Sequence, residues 1–131
     1  MNQYDWKNKS ILIVEDDHAN MLFLTKLLAK TNVNYHEALD GKTALNLFKT
    51  HEDIDLVLMD IRLPDTNGYD LTNIFKIIRE DVKIIAQTAF AMEEDRIRCL
   101  KAGCDDYVPK PIDKELLMNK IKKTCKVGAF G

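Results

Sequence analysis

Cysteine, proline, glycine and tryptophan are all scarce in this chain of 131 residues, at three, three, five and one, and each scarcity excludes something. Cys99, Cys104 and Cys125 are odd in number and lack C-x-x-C spacing, so they read as reduced, partly buried thiols rather than a disulfide framework or a zinc site. No stretch rich in proline, glycine or serine interrupts the chain and no segment repeats, so residues 1–131 are expected to form one domain with its core at about 10–125. No apolar run approaches the roughly 20 residues of a membrane span. The opening MNQYDWKNKS has no apolar centre or cleavage site, so a cytoplasmic protein without direct membrane contact is expected. A net charge of −2 without a clustered basic surface argues against direct nucleic-acid binding.

What is present is an alternation. With 46% hydrophobic and 31% charged residues the composition is that of a soluble globular protein. Branched apolar runs predict strands over Ile11 to Val14, Val33 to Glu37, Ile54 to Met59, Lys83 to Gln87 and Asp106 to Val108. Between them lie helical stripes: Leu24, Leu27 and Leu28; Ala44, Leu47 and Phe48; and Leu71, Ile74, Phe75 and Ile78 at the i, i+3, i+4, i+7 spacing of a buried face. The charged helix from Met92 is expected to be the most loosely held, anchored by Ile97 and Leu100 and stopped by Gly103. In the last helix Asp113 is expected to cap, with Ile112 and Leu117 as a hydrophobic staple. Strands that are apolar throughout imply a parallel sheet covered on both faces, hence an α/β fold with five strands and five helices.

Ligands in open parallel sheets bind beyond the carboxyl ends of the strands. Here those ends supply Glu15, Asp16 and Asp17 after the first strand, Asp60 after the third, Thr88 after the fourth and Lys110 after the fifth. Two carboxylates about 4 Å apart repel by about 4 kcal/mol at an effective dielectric near 20. A hard cation with oxygen ligands offsets that, and Mg2+ held by one or two carboxylates leaves room for a phosphate oxygen. Each residue alone has an ordinary explanation: acids suit the start of a helix, and a strand-end hydroxyl or a surface lysine is common. Their joint placement at four strand ends is what points to a metal-assisted phosphoryl site.

The segments IVEDD, LVLMDIRLPDTNGYDL, IIAQTAFA and AGCDDYVPKPI, in this order and spacing, resemble the signature segments of the bacterial response-regulator receiver family. The resemblance implies a doubly wound, flavodoxin-like sheet with strand order 2-1-3-4-5. It implies that Asp60 accepts a phosphoryl group, that Asp16 binds Mg2+ directly, that Glu15 does so through water, and that the main-chain carbonyl of Arg62 is a further ligand. Thr88 and Lys110 would contact phosphoryl oxygens and Ala89 would leave the site open. Tyr107 would be the switch aromatic, the Lys110–Pro111 peptide bond would be cis, and Pro64 and Gly68 match the family's Pro-x-x-x-Gly pattern. Asp17, one place beyond the matching acidic pair, is assigned to the helix start. Arg62 and Phe90 stand where family members vary and where phosphoryl lifetime is tuned.

The implied donor is a histidine kinase or a histidine phosphotransfer protein, and the implied output is a change in the surface of helix 4, strand 5 and helix 5. A phosphorylation-dependent dimer is a further form the resemblance allows. Such a domain is a self-phosphorylating switch with slow autodephosphorylation rather than an enzyme that turns over a free substrate. DWKNKSILIVEDDHAN and AQTAFAMEEDRIRCLKAGCDDYVPKPI look more like receivers fused behind kinase cores, and with no output domain after Phe130 the expectation leans to the C-terminal receiver of a hybrid sensor histidine kinase over a stand-alone regulator, a choice the sequence leaves open. Two rivals fare worse. An aspartyl-phosphate phosphatase needs a second Asp where Arg62 stands, and a degenerate receiver acting as a phosphorylation-independent binding module would lack an acid, the hydroxyl or the lysine.

Overall fold

The computed structural model describes residues 5–89 and 92–125. Phe90, Lys126 and the tail from Val127 lie outside them. Strands β1 (Ser10–Val14), β2 (Asn34–Ala38), β3 (Leu56–Asp60), β4 (Lys83–Thr88) and β5 (Asp106–Pro109) alternate with helices α1 (His18–Ala29), α2 (Gly41–Thr50), α3 (Gly68–Ile78), α4 (Glu93–Ala102) and α5 (Lys114–Cys125). All the pairings are parallel and the order is β2-β1-β3-β4-β5. The expected α/β fold and strand order are both present.

β1 and β3 are buried along their whole length because alternate side chains serve two different cores. Ile11, Ile13, Leu56 and Leu58 pack with Leu24 and Leu28 of α1 and Leu117 and Ile121 of α5. Leu12, Val14, Val57 and Met59 pack on the other face with Phe48 of α2, Phe75 of α3 and Cys99 of α4. Trp6, to which the sequence reading gave no role, is fully buried in the first core. Its main-chain N–H donates to the carbonyl of Thr31 at 2.7 Å.

The helix starts follow the capping rules. Asp17, Asp40 and Asn67 each accept a backbone N–H with the side chain, and Asp113 Oδ1 accepts from Glu115 N at 2.9 Å. Ile112 packs against the core that holds Leu117, as a staple requires. Gly103 ends α4 at φ 110, the left-handed conformation expected of a glycine stop. No helix among the described residues is long and apolar enough to cross a membrane.

Three expectations need correction. α3 buries Gly68, Leu71, Thr72 and Phe75, while Ile74 and Ile78 are exposed. The spacing was right but the frame was three residues late, because two of the inward residues are a glycine and a threonine. In α4 Ile97 and Leu100 are exposed and Cys99 is the buried residue, so the helix is held as sparsely as expected but by another side chain. β3 starts at Leu56 rather than Ile54, since the Ile54 N–H donates to His51 O in the turn after α2.

Gly68 shows why Pro-x-x-x-Gly ends in glycine. A Cβ there would lie 2.4 Å from the main-chain oxygen of Asp60 and 2.8 Å from Ile61 Cα. Neither backbone atom can swing aside. Gly68→Ala is therefore expected to lower the unfolding free energy by about 1–3 kcal/mol, the usual cost of overpacking, measured by urea denaturation. A loss under about 0.5 kcal/mol, the scatter of ordinary surface changes, would contradict this close approach.

Candidate functional site

The strand order reverses at β1, which lies between β2 and β3, so the crevice above β1 and β3 is the topological switch point where such folds bind ligands. β1 ends by placing Glu15 and Asp16 at this crevice, and β3 ends with Asp60. The three carboxylates each offer an oxygen within 4.8 Å of the others; Glu15 and Asp60 are buried and Asp16 is exposed. Lys110, following β5, sends Nζ to 2.9 Å from Glu15 Oε1 and 3.3 Å from Asp60 Oδ2. The Lys110–Pro111 bond is cis, as expected. The other Asp60 oxygen, Oδ1, accepts the Arg62 N–H at 3.0 Å. Thr88 is buried at the end of β4, and its carbonyl accepts the Lys110 N–H at 2.7 Å. A cleft of about 380 Å³ opens over these groups, lined by Asp16, Asp60, Arg62, Thr88, Ala89 and Lys110 among others.

Asp17 stands apart, as expected: its Oδ1 accepts the Ala19 N–H at 3.1 Å and caps α1. Tyr107 is half-buried against the second core, and its carbonyl accepts from Lys120 Nζ at 2.6 Å. Two members of the site were missed in the sequence. Asn20 donates through Nδ2 both to Glu15 Oε1 and, at 3.2 Å, to Gln87 Oε1. The available signal was Gln87 itself, a polar residue inside the apolar run of β4 beside Thr88. A second carboxylate, Asp65, works beyond the pocket: Oδ1 and Oδ2 accept the Gly41 and Lys42 N–H groups at 2.8 and 3.0 Å, tying the β3–α3 loop to the start of α2.

Burial first, and then the hydrogen bond and charge of Glu15, push the Asp60 pKa up to about 7, against the pull of Lys110 and the Arg62 N–H. For Glu15 burial works in the same upward direction. Its hydrogen bonds with Asp60, Lys110, Asn20 and the Asp17 N–H outweigh it, and the Glu15 pKa ends below the ordinary value. The crowded carboxylates thus share a proton rather than both ionising.

A carboxyl whose folded pKa exceeds its unfolded value of 3.8 binds an extra proton in the native state between that value and about 7. The metal-free protein is therefore expected to gain stability as the pH falls from about 8, and the contribution of Asp60 keeps growing down toward its unfolded value of 3.8. Glu15 contributes the opposite slope only lower, where a carboxylate of depressed pKa is protonated. Thermal unfolding at a series of pH values checks this: Asp60→Asn should remove the slope, and a slope kept in that variant would assign it elsewhere.

The comparisons with known proteins agree with this geometry. The family model described as response regulator receiver domain matches residues 11–122. The polar-differentiation response regulator DivK of Brucella ovis is 37% identical over 116 residues, covering 87% of this chain and 94% of its own. A CheY-like receiver domain protein from Methanospirillum hungatei superposes with a TM-score of 0.84 at 31% identity, over 90% of this chain and 94% of its own. The receiver domain of Saccharomyces cerevisiae Ssk1, solved with the histidine phosphotransfer protein Ypd1, gives a TM-score of 0.84 at 29% identity, over 91% and 90%. Receiver domains bind Mg2+ at an acidic pocket and partner with histidine kinases or histidine phosphotransfer proteins. With most of its length matched by the family model, and with the family's acidic pocket at its switch point, the chain belongs to the response regulator receiver domains of two-component signalling.

Proposed function

We propose that Asp60 is the phosphoacceptor and that Glu15, Asp16, Asp60 and the main-chain carbonyl of Arg62 form the Mg2+ site. The observation that carries this reading is the placement of buried Asp60 between two other carboxylates and the Lys110 ammonium at the floor of one cleft. The donors are oxygens only, as a hard cation demands, and the Asp60 pKa, raised first by burial and then by Glu15, shows a carboxylate charge that Lys110 alone leaves uncompensated. When bound, Mg2+ supplies charge neutralisation for the carboxylates and for the incoming phosphoryl oxygens.

The chain's own residues do the rest. A carboxylate oxygen of Asp60 attacks the phosphorus of a phosphohistidine, the P–N bond breaks, and the partner's imidazole leaves with the electron pair. Lys110, held at the site by Glu15, sets its charge against the developing negative oxygens. Thr88 would donate its hydroxyl to another. In the return reaction water attacks phosphorus, releasing inorganic phosphate and restoring Asp60, so the domain reverses itself slowly. The yeast receiver solved with its phosphotransfer protein supports a histidine-bearing donor.

Readout would pass from Thr88 to Tyr107 and to the face made by α4, β5 and α5, which the sparse burial of α4 leaves free to shift. We further take the chain as one cytoplasmic receiver domain, with a phosphorylation-dependent dimer among its forms.

The test is intact-mass spectrometry after incubation with a small acyl-phosphate donor, with and without Mg2+. A Mg2+-dependent gain of one phosphoryl group, absent in Asp60→Asn, is the expected result. Beryllofluoride covers a short-lived adduct, since binding to the native state raises Tm. No adduct and no such shift would leave a phosphorylation-independent binding module as the better account.

A further inference from the structure

At the opposite end of the sheet a second group of ligating side chains comes together. His36 lies on the edge strand β2, His51 caps the end of α2, and Asp53 follows in the turn that leads into β3. One ring nitrogen of each histidine and one carboxylate oxygen of Asp53 lie within 4.8 Å of one another, with both histidines half-buried and Asp53 exposed. The two imidazoles are stacked, centroids 4.1 Å apart and planes 27° from parallel. Burial first and the neighbouring His51 second hold the His36 pKa below the ordinary value, against the pull of Asp53. That favours the neutral imidazole, the form that offers a lone pair to a metal.

The turn carrying two of the three groups is fixed from outside. The Arg79 guanidinium, at the end of α3, lies 3.7 Å above the Phe48 ring and donates to the carbonyls of Phe48, His51, Glu52 and Ile54, the last three at 3.3, 2.8 and 3.3 Å. It thereby satisfies carbonyls at the end of α2, where a cation is favoured, and locks the main chain of His51. A ligand set on a rigid frame loses little entropy when it closes on an ion.

We propose that His36, His51 and Asp53 form a second metal site, for a borderline divalent transition metal of the Zn2+ class. Two imidazoles and a carboxylate suit Zn2+ and its neighbours, whereas Mg2+ prefers oxygen ligands, so the two ends of the sheet select different ions. Tetrahedral bonds of about 2.0–2.1 Å set neighbouring ligand atoms about 3.4 Å apart, so the cluster has to contract by an ångström or so. Exposed Asp53 is free to supply that movement. The metal has to lie in both ring planes, so binding opens the histidine stack, while a water fills the fourth position.

The experiment adds Zn2+ to the full chain in excess Mg2+, which keeps the acidic pocket occupied, and follows the imidazole 15N resonances of His18, His36 and His51. Co2+ serves as a second probe through its visible absorption. The expected result is saturable movement of His36 and His51 at one equivalent, with His18, exposed at the start of α1, unmoved. Asp53→Asn leaves the histidine stack in place, and His36→Gln removes one ring. Each should weaken binding at least about ten-fold, since even loss of an outer-shell partner costs that much. Asp60→Asn should leave it unchanged. Zn2+ that shifts only His18, or shifts no histidine, or binds equally well to both ligand variants, overturns the proposal.

Discussion

Alanine in place of Lys110 is expected to slow phosphoryl transfer to Asp60 by about 10²–10³-fold, the cost typical of removing one preorganised donor from a developing oxyanion. Among the described residues, Lys110 is the cation whose ion pairs reach both Glu15 and Asp60, at 2.9 and 3.3 Å. Two effects add. The positive charge opposite the transferring group is lost, and the Asp60 carboxyl, which Lys110 pulls downward, moves further above about 7 and spends more time protonated. A protonated carboxyl is no nucleophile. At sub-saturating Mg2+, where Asp60 still titrates as in the metal-free protein, the deficit should therefore shrink as the pH rises and Asp60 ionises again. Quenched-flow transfer from a small acyl phosphate, read by intact mass across a pH series, measures both parts. A rate within a factor of about three of wild type would remove Lys110 from the chemistry, being less than a single positioned acid or base contributes.

Trp6→Ala is expected to cost about 3–5 kcal/mol of unfolding free energy, the range for emptying a buried aromatic site. The indole is 1% exposed and belongs to the core shared by α1, α5 and one face of β1 and β3. The segment around it is tied down at both ends: its N–H reaches Thr31 O, and its own carbonyl accepts the Lys9 N–H at 2.9 Å. Main-chain ties of that kind prevent the chain from collapsing into the space left by the ring. Urea denaturation should show a lower midpoint with an unchanged slope, and Tm should fall by about 10–20 °C. A cost under about 1 kcal/mol would mean that the ring contributes little more than a surface residue.

The architecture and the acidic cleft were legible in the sequence for the same reason. Strands buried on both faces are written as unbroken apolar runs, so where IVEDD or VLMD turns acidic the strand ends and the crevice begins. The parts that were not legible share a different cause. Thr72 and Gly68 face inward on α3 beside Leu71 and Phe75, and Cys99 does so on α4, so the apolar pattern alone misplaces part of the buried face of both helices. Thr72 can be buried because its hydroxyl meets Cys104 Sγ at 3.8 Å, a partner from a distant loop that no local pattern announces. Trp6 sits outside any periodic segment, and a single aromatic in a charged stretch carries no sign of being covered. The lysines of the last helix, Lys114, Lys120, Lys122, Lys123 and Lys126, read in the sequence as a solvated basic face rather than a contact for an acidic partner, and Lys120 departs from that pattern. Its Nζ instead lies 2.9 Å from Asp106 Oδ1, while Lys126 is outside the described residues.

The division of the sheet between two cores has a bearing on how the chain finds its alignment. In a sheet with one wet face, a slip by one residue turns apolar side chains into water and is rejected at once. In β1 such a slip exchanges Ile11 with Leu12 and Ile13 with Val14, and polarity hardly distinguishes the two arrangements. Discrimination then falls to the polar residues at the rims. Ser10 N–H reaches Asp55 Oδ2 at 2.9 Å at one end of β1, and Glu15 N–H reaches Ala38 O at 2.9 Å at the other. A slipped β1 would swing the Glu15 carboxylate away from Lys110 and into the opposite core. The acid that pairs with the ammonium is thus also an alignment mark for the sheet, and its replacement by an apolar residue would erase a proofreading signal along with that ion pair.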